Sequence, residues 1–270
     1  MTGRFDGGVV SAWATCVRED NPGHMTLDGT NTWILRAPAG DGGQAHGARS
    51  IVVDPGELDE PHLRRVLELA APVAFVLLTH RHHDHTEGAA RFAELAAAPV
   101  RAIDPSLCLD ADPLVDGETI EVDGLRLEVV ASPGHTTDSV SFLLRDDAAL
   151  LSGDTILGRG TTVVAHPDGA LGPYLDSLRV LRAAVDSVEG GPVRLYPGHG
   201  PVLPDAGAVI DGYRAHREER LTQVREALDA GAESADDVVR TVYADVDPIL
   251  WPAATLSVRA QLEYLQAAPS

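Results

Sequence analysis

Lysine is absent from this 270-residue sequence, so all 21 basic residues are arginine, against 41 acidic residues. The formal net charge is -20, and only 4% of the residues are aromatic. A field of this sign repels phosphate backbones and anionic lipid surfaces, and few aromatic rings are present to stack on bases. We therefore expect no DNA or membrane partner. RNA stays possible, because a local arginine patch or a bound metal can still attract an anion.

Cysteine is also scarce. Cys16 and Cys108 are the only two, they lack C-x-x-C spacing, and two thiols cannot form a disulfide framework. We expect both to be packed thiols. No apolar run approaches the roughly 18 residues that cross a membrane. Residues 1–8 show no basic segment followed by an apolar stretch, so we expect no secretory signal and a cytoplasmic protein.

Hydrophobic patterns predict an alternating α/β domain followed by helices. A length of 270 residues allows one large domain with a small appendage. The predicted strands lie at 9–14, 32–35, 50–54, 73–78, 120–122, 125–129, 140–144, 149–154 and within 193–200. The predicted helices follow Gly56, are capped by Thr86, span 174–185 and 210–228, and begin at Ser234 and Asp247. Strand signals stop at Pro204, so we predict a catalytic domain at 1–204 and a helical subdomain at 205–270.

A dense group of metal-binding residue types follows the apolar run at 73–78. The ligand types are His80, His82, Asp84 and His85, all within six residues. Neutral imidazole and ionised carboxylate are the forms that bind metals, and such a group would be electrostatically unfavourable without a cation. A strand buried on both faces would deliver these side chains at its carboxyl end. The stretch therefore predicts a metal site.

Three later strands also end in ligand types. They are His135 in Pro-Gly-His, Asp154 in Gly-Asp-Thr and His199 in Pro-Gly-His-Gly. Seven ligands are enough for two metals that share one carboxylate. Histidine nitrogens with fewer carboxylates suit Zn²⁺ best, and Fe or Mn are also compatible with this ligand set.

The order and spacing of these motifs over residues 9–204 resemble the metallo-β-lactamase superfamily. Segments 21–23, 29–32, 79–85 and 213–217 are similar to its β-lactamase-like protein two subgroup. The resemblance implies a four-layer αββα sandwich with a helical, winged-helix-like remnant after it. It also implies that His80, His82 and His135 hold one metal, that Asp84, His85 and His199 hold the other, and that Asp154 bridges them, with Asp84 and Asp154 as the catalytic carboxylates.

Two cations held close together by these ligands can lower the pKa of a shared water and provide a bridging hydroxide as nucleophile. We therefore expect a dinuclear metal-dependent hydrolase acting on a small ester or thioester. An endoribonuclease acting on single-stranded RNA is the alternative. A glutathione-thioester hydrolase, a β-lactamase and a metal-binding module without catalysis are disfavoured. Many zinc β-lactamases have cysteine where this chain has Asp154, no lysine is present to bind glutathione carboxylates, and every ligand position is filled.

The remaining histidines carry weaker expectations. We predict that His83 faces away from the metals or supports their ligands from outside. His24 and His166 could touch substrate, although a structural role is favoured for both. The polar loop at 21–31 could border the site. His46, His62 and His216 receive no functional assignment.

Overall fold

The computed structural model describes residues 5–39 and 47–267, so His46 lies outside the described residues. Two sheets face each other, with helices covering both outer surfaces. The first sheet has strand order β1-β2-β3-β4-β5-β6 and the second β11-β10-β9-β8-β7. The strands of the first sheet are β1 (Gly8–Val9), β2 (Ala14–Arg18), β3 (Asn31–Leu35), β4 (Ser50–Val53), β5 (Val73–Leu77) and β6 (Val100–Arg101). Those of the second are β7 (Thr119–Val122), β8 (Leu125–Ala131), β9 (Val140–Leu144), β10 (Ala149–Gly153) and β11 (Arg194–Pro197).

The helices form the outer layers and the carboxyl-terminal region. They are α1 (Glu60–Ala70), α2 (His83–Thr86), α3 (Ala89–Ala96), α4 (Leu171–Asp186), α5 (Ala206–Asp229), α6 (Ala235–Val242) and α7 (Trp251–Ala267). Helices α1 and α3 pack on the first sheet, and α4 and α5 pack on the second. None of the described helices is long and apolar enough to cross a membrane. The predicted four-layer αββα sandwich with a helical carboxyl-terminal region is confirmed.

The core between the sheets is built from the inward-facing residues of both. Leu35 and Ile51 of the first sheet and Leu127 and Phe142 of the second are fully buried in one cluster. The rings of Trp33 and Tyr196 stack across the interface with centroids 4.5 Å apart. Residues of β4, β9 and β10 are buried on both faces, as expected for strands covered by helices on one side and a sheet on the other. The layers thus hold the strand ends rigidly at one edge.

Two predicted elements are wrong. The strand predicted at 9–14 is a hairpin turn between β1 and β2, because the Ser11 hydroxyl accepts hydrogen bonds from the backbone N–H groups of Trp13 and Ala14 and bends the chain. Thr86 is not a helix cap, since it ends α2 and its hydroxyl donates to the carbonyl of His82. The next helix restarts behind Gly88.

The two cysteines differ in environment. Cys16 is buried between the sheets, and burial raises the pKa of its thiol far above the usual range. Cys108 is half-buried, and both thiols are free. Cys16 is the packed thiol expected from the sequence, and Cys108 has partial solvent access.

Helix α5 belongs to two cores at once. Its Ile210 and Tyr213 pack with α4 and the second sheet, whereas Val224 and Ala227 pack with α6 and α7. Helix α6 begins at a capping box formed by Ser234 and Asp237, at the start that the sequence predicted. The predicted boundary between residues 204 and 205 stays a prediction, and α5 joins the regions on either side of it.

Candidate metal centre

All seven predicted ligands meet at one edge of the sandwich, between the two sheets. The motif after β5 supplies four of them, and the turn from β8 to β9 supplies His135. Asp154 follows β10, and His199 follows β11. Because β10 and β11 run parallel, their carboxyl ends emerge side by side. The ligands form three overlapping groups whose donor atoms lie within 4.8 Å of one another: His80, His82 and His135; His80, His85 and Asp154; and Asp84, His85 and His199.

The histidine cluster consists of His80, His82 and His135. Nδ1 of His82 lies 3.0 Å from Nε2 of His80 and 3.1 Å from Nε2 of His135. A tetrahedral zinc ion with bonds of about 2.0 Å holds its ligand atoms about 3.3 Å apart. These three nitrogens therefore have the spacing of one face of a zinc coordination shell.

The mixed cluster consists of Asp84, His85 and His199. Nε2 of His199 lies 3.2 Å from Nε2 of His85 and 3.1 Å from Oδ2 of Asp84. Oδ2 of Asp84 lies 3.5 Å from Nε2 of His85. The spacing again matches a four-coordinate shell, and both imidazoles are completely buried.

Asp154 lies between the two clusters. Its Oδ2 is 3.3 Å from Nε2 of His199 in the mixed cluster and 3.9 Å from Nε2 of His135 in the histidine cluster. Its buried Oδ1 has no hydrogen-bond partner. A Cβ at Gly198 would overlap that oxygen, so glycine leaves the space that the carboxylate needs. A buried carboxylate oxygen without a donor is costly alone and suits a cation, so the residues fit a metal pair.

Hydrogen bonds at Nδ1 orient four of the five imidazoles. Nδ1 of His85 lies 2.9 Å from Oδ2 of Asp54, and Nδ1 of His135 lies 2.8 Å from the carbonyl of Val163. Nδ1 of His80 lies 3.0 Å from Oγ1 of Thr79, and Nδ1 of His199 lies 3.2 Å from the carbonyl of Gly29. Carbonyl and carboxylate oxygens only accept, and the Thr79 hydroxyl donates its own proton to Asp54, so in the neutral imidazoles these partners keep the proton on Nδ1 and leave Nε2 to bind a metal.

Charge differs between the clusters. Burial lowers the pKa of His80 well below its usual range, and burial also lowers the pKa values of His82 and His135. In the mixed cluster, burial opposes protonation of His199, but Asp154 and Asp84 outweigh it and raise its pKa to about 9. The pKa of His85 is raised well above its usual range, because the same carboxylates and Asp54 outweigh burial. Without a cation, protons on His85 and His199 offset the carboxylates.

Both carboxylates stay ionised. Burial alone would raise the pKa of Asp84, but His85 and His199 outweigh it and lower the pKa to about 2. Burial likewise opposes ionisation of Asp154, and the same two histidines lower its pKa well below its usual range. The centre therefore presents anionic oxygen ligands at neutral pH.

The other histidines within the described residues lie outside both clusters. The side chain of His83 is 80% exposed, with Nε2 3.9 Å from Oε1 of Glu57, so it faces away from the ligands. His24 is exposed, and the side chain of His166 lies 4.0 Å from Glu263. His62 is buried against the hydroxyl of Thr32 at 2.9 Å, and burial lowers its pKa to about 4. The loop at 21–31 does border the centre, because it supplies the carbonyl of Gly29.

Sequence reasoning missed Asp54 as a functional residue. Its carboxylate binds His85, accepts from the N–H of Thr79 at 2.8 Å and accepts from the Thr79 hydroxyl at 2.7 Å. That same hydroxyl oxygen accepts from Nδ1 of His80, so one carboxylate orients imidazoles of both clusters. The position of Asp54 in the sequence could have identified it. Asp54 directly follows β4, which runs parallel to β5, so its side chain emerges at the same edge of the sheet as the ligands after β5.

Comparison with known proteins agrees with this geometry. Residues 25–199 match the metallo-β-lactamase superfamily, and residues 234–268 match a β-lactamase-associated winged helix domain. The chain belongs to the metallo-β-lactamase superfamily, whose members are hydrolases that use divalent metals. Across 234–267, the part of the second match that the structure describes, the chain forms helices and no strand.

Relatives are found within that superfamily. The chain is 34% identical over 268 residues to a β-lactamase-like protein 2 homolog of Drosophila melanogaster, covering 91% of this chain and 85% of the relative. It is 35% identical over 233 residues to an atrochrysone carboxyl ACP thioesterase of Aspergillus fumigatus. This match covers 82% of this chain and 66% of the relative. The structure of a β-lactamase domain protein from Burkholderia ambifaria has the same fold, with a TM-score of 0.78, 22% identity and coverage of 98% and 89%.

Proposed function

We propose that the protein is a dinuclear metal-dependent hydrolase of small ester or thioester substrates. The observation that carries the proposal is the convergence of seven ligands into a histidine cluster and a mixed cluster with Asp154 between them. Their donor atoms have coordination spacing, and four imidazoles are oriented by outer hydrogen bonds. Three histidines and a shared carboxylate on one side, and two histidines and two carboxylates on the other, suit two Zn²⁺ ions.

The protein side chains have separate tasks in this proposal. The histidine cluster and the mixed cluster would each hold one ion, and Asp154 would contact both. When bound, the metal pair supplies an activated water as the nucleophile and polarises the scissile carbonyl. Asp84, ionised at neutral pH, can accept a hydrogen bond from the attacking water and orient it. Asp54 keeps His85 in the metal-binding tautomer.

The substrate class is supported by charge and by one relative. A net charge of -20 with no lysine opposes binding of a long anionic strand, whereas a neutral ester or thioester meets no such repulsion. The Aspergillus fumigatus relative is named as an atrochrysone carboxyl ACP thioesterase, which fits a thioester substrate. Single-stranded RNA is the competing substrate, and the experiment below separates the two.

The test has two stages. Elemental analysis of purified protein is expected to give close to two transition-metal equivalents, mainly zinc, with iron or manganese as the other outcomes. The loaded protein is then assayed on acyl thioesters, an aryl ester, a lactone, a phosphodiester and a single-stranded RNA. We expect turnover of the ester or thioester, abolished by Asp154→Ala and retained by His83→Ala. Turnover of RNA alone would refute the substrate class, and a single metal equivalent that cannot be raised by titration would refute the dinuclear centre.

A further inference from the structure

Helix α5 lies in neither of the two segments that match known families, which cover 25–199 and 234–268. Two of its side chains nevertheless reach the segment at 155–163, which we call the site loop. The site loop starts directly after Asp154 and ends at Val163, whose carbonyl lies 2.8 Å from Nδ1 of His135. Both ends of the loop therefore border metal ligands.

The first contact is made by Arg217. Its Nη2 donates to the carbonyl of Thr162 at 2.5 Å, and the hydroxyl of the same threonine lies 3.2 Å from Nδ1 of His135. The guanidinium lies 5.0 Å from the centroid of the Tyr174 ring. Tyr174 in turn packs against Gly134, where a Cβ would overlap its backbone, so this cluster contacts the residue before His135 as well.

Arg217 is buried at considerable cost. Only 5% of the residue is exposed, its Nε has no hydrogen-bond partner, and no carboxylate of a described residue forms an ion pair with it. Burying a charge with incomplete partners destabilises a protein. The neighbouring contacts therefore indicate a specific task at the site loop, because the helix would pack more favourably with an apolar residue here.

The second contact is made by Tyr213, one helical turn earlier. Its hydroxyl accepts a hydrogen bond from the N–H of Leu157, near the start of the site loop, at 2.9 Å. The hydroxyl of Tyr174, from α4, donates to the carbonyl of Thr155 at 2.8 Å. The backbone groups of residues 155, 157 and 162 are thus each hydrogen-bonded to a side chain of α4 or α5.

We propose that Arg217 and Tyr213 are positioning residues, which hold the site loop so that Val163 and Thr162 fix the orientation of His135. The metal-binding segment is then incomplete without α5. This inference rests on the metal-binding part of the proposed function and needs no identified substrate. Partners that orient ligands from outside typically contribute 10- to 100-fold to metal affinity, so removal of Arg217 is expected to weaken the histidine cluster on about that scale.

The experiment uses the full chain loaded with Co²⁺, whose visible absorption reports ligand geometry. Arg217→Met is expected to accelerate loss of Co²⁺ to a chelator by about 10-fold or more and to alter the absorption spectrum. Arg217→Lys keeps the charge and one donor, so we expect an intermediate rate. Tyr213→Phe removes one hydroxyl and should give a smaller change in the same direction. Arg225→Met changes an exposed arginine of the same helix and should behave as wild type.

A merely structural role would lower the unfolding temperature of these variants and leave the spectrum and the rate of metal loss of folded protein unchanged. That result would overturn the inference. If Arg217→Met does not fold, Arg217→Lys and Tyr213→Phe decide the question, since both conserve volume. Failure of the wild-type protein itself to bind Co²⁺ would refute the proposed metal centre, which separates the two failures.

Discussion

The histidine cluster and the mixed cluster lie a few ångströms apart yet balance charge in opposite ways. In the histidine cluster, burial lowers the pKa values of His80 and His135, so the ligands are neutral and ready to bind. In the mixed cluster, carboxylates raise the pKa of His199 to about 9, so protons occupy ligand nitrogens until a cation replaces them. The histidine cluster is thus built around neutral donors and the mixed cluster around opposite charges, and Asp154 lies between them and contacts both.

The largest effect on both clusters is expected from removal of Asp154. We expect Asp154→Ala to lose metal from both clusters and to lose several orders of magnitude in hydrolysis rate, because it deletes a ligand from each ion and the charge that offsets their repulsion. Asp154→Cys should retain about one equivalent, since a thiolate favours one ion over bridging. Metal content and turnover of both variants are measured, with His83→Ala as the control that should retain both. Near wild-type turnover of Asp154→Ala would refute the bridging role.

A smaller effect is expected from single ligands confined to one cluster. His82→Ala should cost the metal of the histidine cluster, and His199→Ala that of the mixed cluster, each leaving about one equivalent by elemental analysis. The double variant should leave none. If either single variant released both metals, the clusters would behave as one cooperative unit and the comparison between them would fail.

Asp54 offers a finer test, chiefly of the mixed cluster, because its carboxylate contacts His85 directly and reaches His80 only through the Thr79 hydroxyl. Asp54→Asn keeps the size of the side chain but presents an amide to Nδ1 of His85, so we expect metal affinity at this cluster to fall by about 10- to 100-fold. Chelator titration of the zinc-loaded variant measures it. Thr162→Val is the matched change at the histidine cluster, and its effect should be smaller because the carbonyl of Val163 still binds His135.

The smallest effect concerns Glu19, which packs against the 54–57 turn beside the mixed cluster. Its Oε2 accepts from the N–H of Glu57 at 3.1 Å, and burial raises its pKa from 4.5 to about 7. The folded protein thus holds this proton more tightly than the unfolded chain does. The stabilising contribution is complete below about pH 4.5 and disappears as the pH rises through about 7.

Glu19→Gln keeps an acceptor and cannot ionise. In metal-free protein, its free energy of unfolding relative to wild type should therefore increase between about pH 5 and pH 8. Denaturant titrations at the two pH values measure the difference. An unchanged difference would mean that Glu19 titrates normally in the folded state.

The sequence predicted the ligand positions because each follows an apolar strand at a distinctive motif. His135, Asp154 and His199 lie far apart in the chain, but every one follows a strand within a few residues, and strand ends of a layered α/β fold converge. The turn at Ser11 was missed, since a single hydroxyl bonding two N–H groups leaves no hydrophobic signature. The contact of Arg217 with the site loop could not be predicted either, because it depends on how α5 packs on the second sheet.

The separation of the ligands along the chain has a mechanical consequence. His82 and His135 are 53 residues apart, and His85 and His199 are 114 apart, yet the ring nitrogens of each pair lie within 3.2 Å of each other. A shared ion would act as a cross-link between the two sheets and would close loops of those lengths. Closing long loops lowers the conformational entropy of the unfolded chain. A bound metal would therefore also stabilise the folded protein against separation of the two sheets.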